Sequence, residues 1–563
     1  MRRPGGVWSC DGLAAACAGF FVLTACANGP QHADLMFTNG IVFTANEAYD
    51  THRAVVVDKG RILAVGGSEI EATYRADRTI DLRGRLLIPG FNDAHTHIDG
   101  NPENWADVSR ATSIAELQAV VRRMTDVVPA GGWIIGYGWS EDRFSDGRKP
   151  TRFDLDEVSA GRAVVFTREG GHAAIANSLA LERAEITQSS PDPEGGSLER
   201  DEQGRLTGVI AERFDLVTRV MPRGQPEDLA ADLARNLNAQ LALGITSLTD
   251  ASASPKVFDR LWKLVYATSD LPLPRARVQI NPGLDAGASG DAIRALIAFG
   301  RKTGDGDEHL SVGPLKVFVD GGFTGPAAFT TRPYRNDPAY HGSLTTPMAD
   351  IERLAKAAHE LGWQFGFHTI GDRAIDETAG MMARVIASGP ARDHRHYLNH
   401  FSMTPRAETL DVMARHGIAI AQQPNFTYSL EGRYRTYLPD EALALNNPIA
   451  TPLAAGIRMA FSSDIIPIGP LVGVYAAVTR KGRSGAVYGE SERVSLAQAL
   501  RLYTYGGAYL SFEETKKGLI EPGYLADLVV LSENLLDAPS ERILETKVDM
   551  TVLDGRVVFE RTP

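Results

Sequence analysis

The stretch Leu86-Leu87-Ile88-Pro89-Gly90-Phe91-Asn92-Asp93-Ala94-His95-Thr96-His97 decides how the rest of the chain is read. An apolar run meets a proline-glycine turn, and a second short run then ends in two histidines. Side chains on a strand alternate, so His95 and His97 point to the same side and can reach one metal ion. By itself a His-x-His pair is a weak signal, because most such pairs are packed or surface histidines.

Downstream the same arrangement recurs. The run Trp363 to Phe367 is closed by His368, His396 to Asn399 by His400, and Met459 to Ser463 by Asp464. Leu315 to Val319 and Ile418 to Ala421 are further strand candidates, and helical stretches at Pro226 to Ala242, Ile351 to Leu361 and Leu496 to Thr504 fall between strands. Alternation of this kind predicts an α/β protein with a parallel sheet. Metal-ligand types recurring where strands end favour a (β/α)8 TIM-type barrel, which builds its site at that rim. The barrel is assigned to 89–516. Residues Pro129 to Glu212, with many Gly, Asp and Arg, fit the alternation poorly and are read as an insertion over the barrel mouth. Within it Trp139 reads as packing.

Working outward, the chain is β-rich at both ends. Short strands such as Gly40 to Phe43, Ala54 to Val57 and Arg61 to Val65 precede the barrel; Leu528 to Leu531, Val548 to Leu553 and Val557 to Phe559 follow it. Neither group alone covers its apolar face, so 33–88 and 517–563 are expected to form one composite β-sandwich.

Lys316 lies inside the apolar run Pro314 to Val319, where an unpaired ammonium carries a large desolvation cost. Burial lowers its pKa and leaves a neutral amine able to take up carbon dioxide as a carbamate, which offers two oxygen ligands. A lysine snorkelling from the strand end is the plainer reading.

With 58 Lys and Arg against 70 Asp and Glu, the formal charge of -12 disfavours a phosphate-backbone grip and excludes nucleic acid as the main partner. A homo-oligomer is compatible with the sequence. At the amino terminus Arg2 and Arg3 precede an apolar stretch, Leu13 to Leu23, too short to span a bilayer. It ends in Leu23-Thr24-Ala25-Cys26, which resembles the lipobox of bacterial lipoproteins; an ordinary secretory signal is the alternative. On the first reading 1–25 is a signal peptide, Cys26 carries a lipid that anchors the protein to a membrane, 26–32 is a linker, and Ala27 points to the outer membrane on its periplasmic side. The cysteines are Cys10, Cys17 and Cys26, so the processed chain keeps no other thiol, as suits an oxidising compartment.

Taken together, His95/His97 after the proline-glycine turn, then Lys316, His368, His400 and Asp464 in that order, resemble the binuclear amidohydrolase superfamily. Gly170-Gly171-His172 with Asn177-Ser178, Lys316 with Asp320-Gly321, His368 to Ala374, Ser463-Asp464 with Thr479-Arg480, and Gly518 to Asp527 resemble more narrowly its YtcJ-like branch, which includes N-substituted formamide deformylase. The resemblance runs from about Ala33 to the carboxyl terminus. It implies that His95, His97 and Asp464 hold one divalent metal, zinc above all, that His368 and His400 hold a second where two ions bind, and that carbamylated Lys316 bridges them. Asp464 would then accept the hydroxide's proton and later donate one to the leaving amine, and His172 would either face the substrate and hydrogen-bond its carbonyl oxygen or tie the insertion to Asn177.

Two departures stand out. Asn399 occupies a position where the branch often has glutamate. Glu212 matches a recurrent acidic position, either bridging metals in place of Lys316 or capping the following helix. The expected activity is metal-dependent hydrolysis of an amide-like, non-peptide carbon–nitrogen bond in a small N-acyl or N-formyl compound. Rival readings are a barrel lyase, hydratase or esterase, a phosphoesterase using Arg373 and Arg480, and a lipid-anchored small-molecule binding protein.

Overall fold

The computed structural model describes residues 30–562 apart from 99–103, 223–225, 285–286 and 466. The proposed signal and lipid-attachment residues therefore lie outside the described part. Its centre is an eight-stranded, all-parallel sheet: β1 (Phe91–Thr96), β2 (Ile245–Ala253), β3 (Arg275–Ile280), β4 (Leu310–Phe318), β5 (Phe365–Thr369), β6 (Tyr397–His400), β7 (Ala419–Gln422) and β8 (Met459–Phe461). Neighbours in sequence are neighbours in the sheet. The ring is nearly closed by a parallel bridge from Thr96 to Asp464, where the Asp464 N–H donates to the His95 carbonyl at 2.8 Å.

These strands are buried on both faces because helices cover the outside and side chains fill the inside. The helix Met348–Glu360 shows the outer layer: Ile351, Leu354, Ala355 and Ala358 form its buried stripe. Its counterpart Leu496–Leu510 is started by Ser495, whose hydroxyl accepts from Gln498 N at 3.1 Å. Strands β2 and β3 escape the search for apolar runs, since Thr249, Asp250, Arg275, Arg277 and Gln279 are all buried in them. A barrel interior admits polar groups that pair with one another, which masks the strand pattern.

Around this barrel the two chain ends form two sheets. One holds Gln31–Thr38, Ala54–Asp58, Arg61–Gly66 and Tyr74–Asp81; the other mixes Ile41–Phe43, Thr51–His52 and Leu86–Pro89 with Leu528–Leu531, Val548–Leu553 and Arg556–Glu560. Leu35, Phe37, Val55, Leu87, Leu528, Val530 and Val552 share one core between them. The first strand begins at Gln31, inside the stretch expected to be linker, because it pairs in parallel with Tyr74–Asp81 from Gln31 onward. Gly90 joins Leu86–Pro89 to β1. A Cβ there would sit 2.0 Å from Thr246 Oγ1, so the two strands meet only across a glycine.

Between β1 and β2 the chain builds a further six-stranded sheet from Trp105–Asp107, Trp133–Trp139, Ala163–Arg168, Ala173–Ala176, Ser197–Arg200 and Leu206–Ala211. It starts at Trp105, which corrects the expected boundary at Pro129. Trp105–Asp107 is only 3 residues long, and the helix Ile114–Val127 that follows carries the same pattern as a barrel helix. Arg168 of this unit donates to the Thr324 carbonyl at 2.7 Å, and Tyr137 Oη to the Ile465 carbonyl at 3.3 Å, so the insertion rests on the loops after β4 and β8. Among the described residues no helix is long and apolar enough to cross a membrane.

Candidate metal centre

Five barrel strands converge on one place. His95 is the penultimate residue of β1 and His97 follows the strand, Lys316 rises from β4, His368 from β5, His400 closes β6, and Asp464 follows β8. The candidate ligand atoms of His95, His97 and Asp464 all lie within 4.8 Å of one another. His97 Nε2 stands 3.6 Å from Asp464 Oδ1, and His400 Nδ1 stands 3.7 Å from Asp464 Oδ2. The ring centroids of His95 and His400 are 4.8 Å apart, and those of His368 and His400 4.3 Å. His400 and Asp464 both take left-handed backbone conformations, with φ of 75° and 59°. Non-glycine residues hold that conformation at a cost, repaid when it aims a functional side chain.

Nε2 of His95, His368 and His400 and Nζ of Lys316 are buried and have no hydrogen-bond partner. Four orphaned polar atoms in one cluster are a large penalty for a core to carry, and lone pairs collected in this way suit a divalent cation. The donor set therefore fits the metal that the fold implies.

The other ring nitrogen of each histidine explains why Nε2 is free. The Asn399 amide donates from Nδ2 to the Gly366 carbonyl at 2.8 Å, which turns Oδ1 toward His95 Nδ1 at 2.7 Å. His95 must carry its proton on Nδ1, leaving an Nε2 lone pair. Gln423 does the same for His400: Nε2 donates to Ser462 Oγ at 2.7 Å, and Oε1 receives His400 Nδ1 at 2.8 Å. Such outer partners fix ligand tautomer and orientation.

Loss of water sets the electrostatics. Burial holds His95, His368 and His400 well below the usual imidazole range and pushes His97 down to about 3, with the Lys316 charge adding to the effect. Neutral imidazoles are the form that binds metal. Burial also lowers the Lys316 amine and raises the Asp464 carboxyl. Asp93, hidden in the quoted motif and missed as a site residue, accepts from Ser463 N at 3.0 Å and from His95 N at 3.3 Å. It thereby locks β1 to the segment bearing Asp464.

A model of the amidohydrolase family matches residues 78–559. The chain belongs to the amidohydrolase family. It is accordingly a metal-dependent hydrolase of carbon–nitrogen bonds other than peptide bonds. YtcJ of Bacillus subtilis (strain 168) is 28% identical over 544 residues, covering 93% of this chain and 99% of that protein. N-substituted formamide deformylase of Arthrobacter pascens is 28% identical over 553 residues, covering 94% and 99%. A crystal structure of a metal-dependent hydrolase from Pyrococcus horikoshii OT3 superposes with a TM-score of 0.70 at 24% identity, over 90% of this chain and 99% of that one. The last likeness is one of fold.

The insertion roofs the site of this amidohydrolase. His172, in the loop between Ala163–Arg168 and Ala173–Ala176, lies with its ring centroid 6.2 Å from that of His368. Its Nδ1 meets Glu212 Oε2 at 3.0 Å. Glu212 is thus engaged in the insertion, not with the helix that follows. Asn177 starts the helix Ser178–Arg183 by accepting from Ala180 N and does not reach His172. Trp139 is fully buried, its indole donating to the Phe166 carbonyl at 2.8 Å, in the core of the insertion.

Of the two arginines of the phosphoesterase reading, Arg480 is committed elsewhere in this amidohydrolase. Arg480 is buried and spends its guanidinium on the carbonyls of Asn446, Asn447 and Tyr488. Arg373 pairs with Glu377 at 3.0 Å. Tyr137 is a site-proximal residue that sequence reasoning missed: its hydroxyl also receives Gly170 N at 3.0 Å. The glycine-rich turn Gly170-Gly171 before His172 was its available signal.

Proposed function

We propose that this amidohydrolase cleaves the amide-like bond of a small N-acyl or N-formyl compound, using zinc ions held by His95, His97, Lys316, His368, His400 and Asp464. The observation that carries the reading is the cluster of unpartnered Nε2 and Nζ atoms buried at the carboxyl ends of β1, β4, β5 and β6. Relationship over nearly full length to an N-substituted formamide deformylase supports the substrate class.

Imidazole and carboxylate donors suit zinc and its neighbours in the first-row series. His95, His97 and Asp464 would hold one ion, His368 and His400 a second, with Lys316 between them as a carbamate. The lowered Lys316 pKa leaves the neutral amine that carbamate formation needs. Bound ions supply Lewis-acid chemistry, polarising a carbonyl and making water nucleophilic near neutral pH. Asp464, a carboxylate at the mouth of the site, would take the proton from the attacking water. His172 contributes a hydrogen-bonding group from the roof, and the surrounding burial keeps bulk water from the reacting atoms. Upstream, a lipid on Cys26 would tether the enzyme to the periplasmic face of the outer membrane.

The test is metal analysis of the purified protein joined to a screen of N-formyl, N-acyl, cyclic amide and ester compounds, with and without chelator. Chelator-sensitive release of an amine is expected. Turnover confined to esters, or undiminished after the metal is stripped, overturns the proposal.

A further inference from the structure

His172 and Glu212 sit side by side at one end of the insertion sheet, where Ala173 pairs with Ala211. Two bonds hold them together: the Glu212 N–H donates to the His172 carbonyl at 2.8 Å, and Glu212 Oε2 meets His172 Nδ1 at 3.0 Å. A carboxylate can only accept, so His172 carries a proton on Nδ1, and Nε2 is the atom left for chemistry.

The surroundings aim that atom. On the loop after β4, a Cβ at Gly322 would come within 2.8 Å of His172 Nε2, and one at Gly325 within 2.6 Å of Glu212 Oε1. This is the loop that leaves the strand bearing Lys316, and the backbone of Gly321 in it hydrogen-bonds His368. Glu212 itself is held at φ 60°, a strained conformation for a side chain of its size. Its second oxygen, Oε1, is buried without a partner. A carboxylate kept strained and half-satisfied against one imidazole is poorly explained as packing.

We infer that Glu212 is a positioning residue that holds His172 as the proton donor to the departing amine. The inference rests on the proposed hydrolysis of an amide-like bond. When the carbon–nitrogen bond breaks, its electron pair goes to nitrogen, which takes the Nε2 proton of His172 in its doubly protonated imidazolium form, whose charge the Glu212 carboxylate at Nδ1 balances. The imidazole keeps its Nδ1 proton on Glu212 and recovers the other from solvent, while Asp464 returns to solvent the proton it took from water. Each turnover therefore yields one acid and one amine, with both residues restored.

Leaving-group dependence tests this. N-Butylformamide releases a strongly basic amine that needs protonation, and 4-nitroformanilide one that departs without it. Glu212→Gln should lower kcat on the first about 100-fold and on the second about 3-fold or less, with metal content and melting temperature unchanged. Adding Glu212→Gln to His172→Gln should cost little more, because the two act as a unit. Equal slowing on both substrates, full additivity, or loss of metal from Glu212→Gln overturns the inference, the last by making Glu212 a ligand. If the wild-type enzyme cleaves no carbon–nitrogen substrate, the proposed function fails, and the pair is judged by spectra of 15N-histidine-labelled protein. A His172 Nδ1 proton that is displaced in Glu212→Ala supports the pair, and its absence from the wild type overturns it.

Discussion

The side-chain oxygen of Asn399 lies 2.7 Å from Nδ1 of His95, joining residues 304 apart in the chain and fixing which nitrogen of that histidine is free. Gly366 completes the arrangement by accepting from the other end of the same amide. A glutamate at this position would accept as well, so the asparagine preserves tautomer control while leaving a buried negative charge out of the site.

Asn399→Leu removes the acceptor and lets His95 redistribute its proton between Nδ1 and Nε2. Metal affinity should fall roughly 10–100-fold, as for other outer-shell changes, measured by competition with a chromophoric chelator. Affinity equal to wild type would show that packing alone orients His95.

Lys316→Met removes the buried amine while keeping its length. The metal-bound enzyme should lose the bridging ligand, and with it at least one ion per chain by elemental analysis, together with turnover. The metal-free protein should melt at a higher temperature, because an unpaired buried amine no longer opposes folding. Retention of full metal content would remove Lys316 from the ligand set.

A second histidine cluster lies under the barrel and governs acid stability. Phe365 N donates to His396 Nδ1 at 3.1 Å, His396 Nε2 meets His359 Nδ1 at 3.0 Å, and His359 Nε2 meets the Pro390 carbonyl at 3.2 Å. Each ring thus has a defined neutral tautomer. Burial lowers all three of His359, His394 and His396, with His394 pushed down to about 4. Unfolded histidine titrates near 6.5, so from about pH 6.5 down to 4 the unfolded chain binds more protons. Stability contributed by these groups is present above that window and is lost as pH falls through it. His394→Gln should flatten the fall in melting temperature between pH 7.5 and 4.5, followed by calorimetry. An unchanged slope would exclude His394 from acid unfolding.

Cys26→Ser should abolish lipid attachment. Expressed in a Gram-negative host, the wild type is expected to partition into detergent and carry the mass of acyl chains, and the variant to remain aqueous. A wild-type protein cleaved at another bond and free of lipid would favour an ordinary secretory signal.

How much of this was legible in the chain varies by residue. His368, His400 and Asp464 could be placed at the rim because each follows a short apolar run, and that pattern is local. Trp105–Asp107 could not be assigned to the insertion, since so short a strand has no period of its own. Asp93 was visible but mute: nothing near it in sequence shows that Ser463 is its partner.

Local order in the sequence determined the barrel strands other than β2 and β3 and the residue types gathered at the carboxyl rim, because strand periodicity and strand-end position depend on near neighbours. Tertiary structure alone decided that Asn399 and Gln423 set the tautomers of His95 and His400, that Glu212 faces His172, and that β2 and β3 run through a polar interior. Those outcomes depend on hydrogen bonds and desolvation between groups that stand 23 residues apart for His400 and Gln423, 40 for His172 and Glu212 and 304 for His95 and Asn399, and such pairings exist only once the separate elements have packed together.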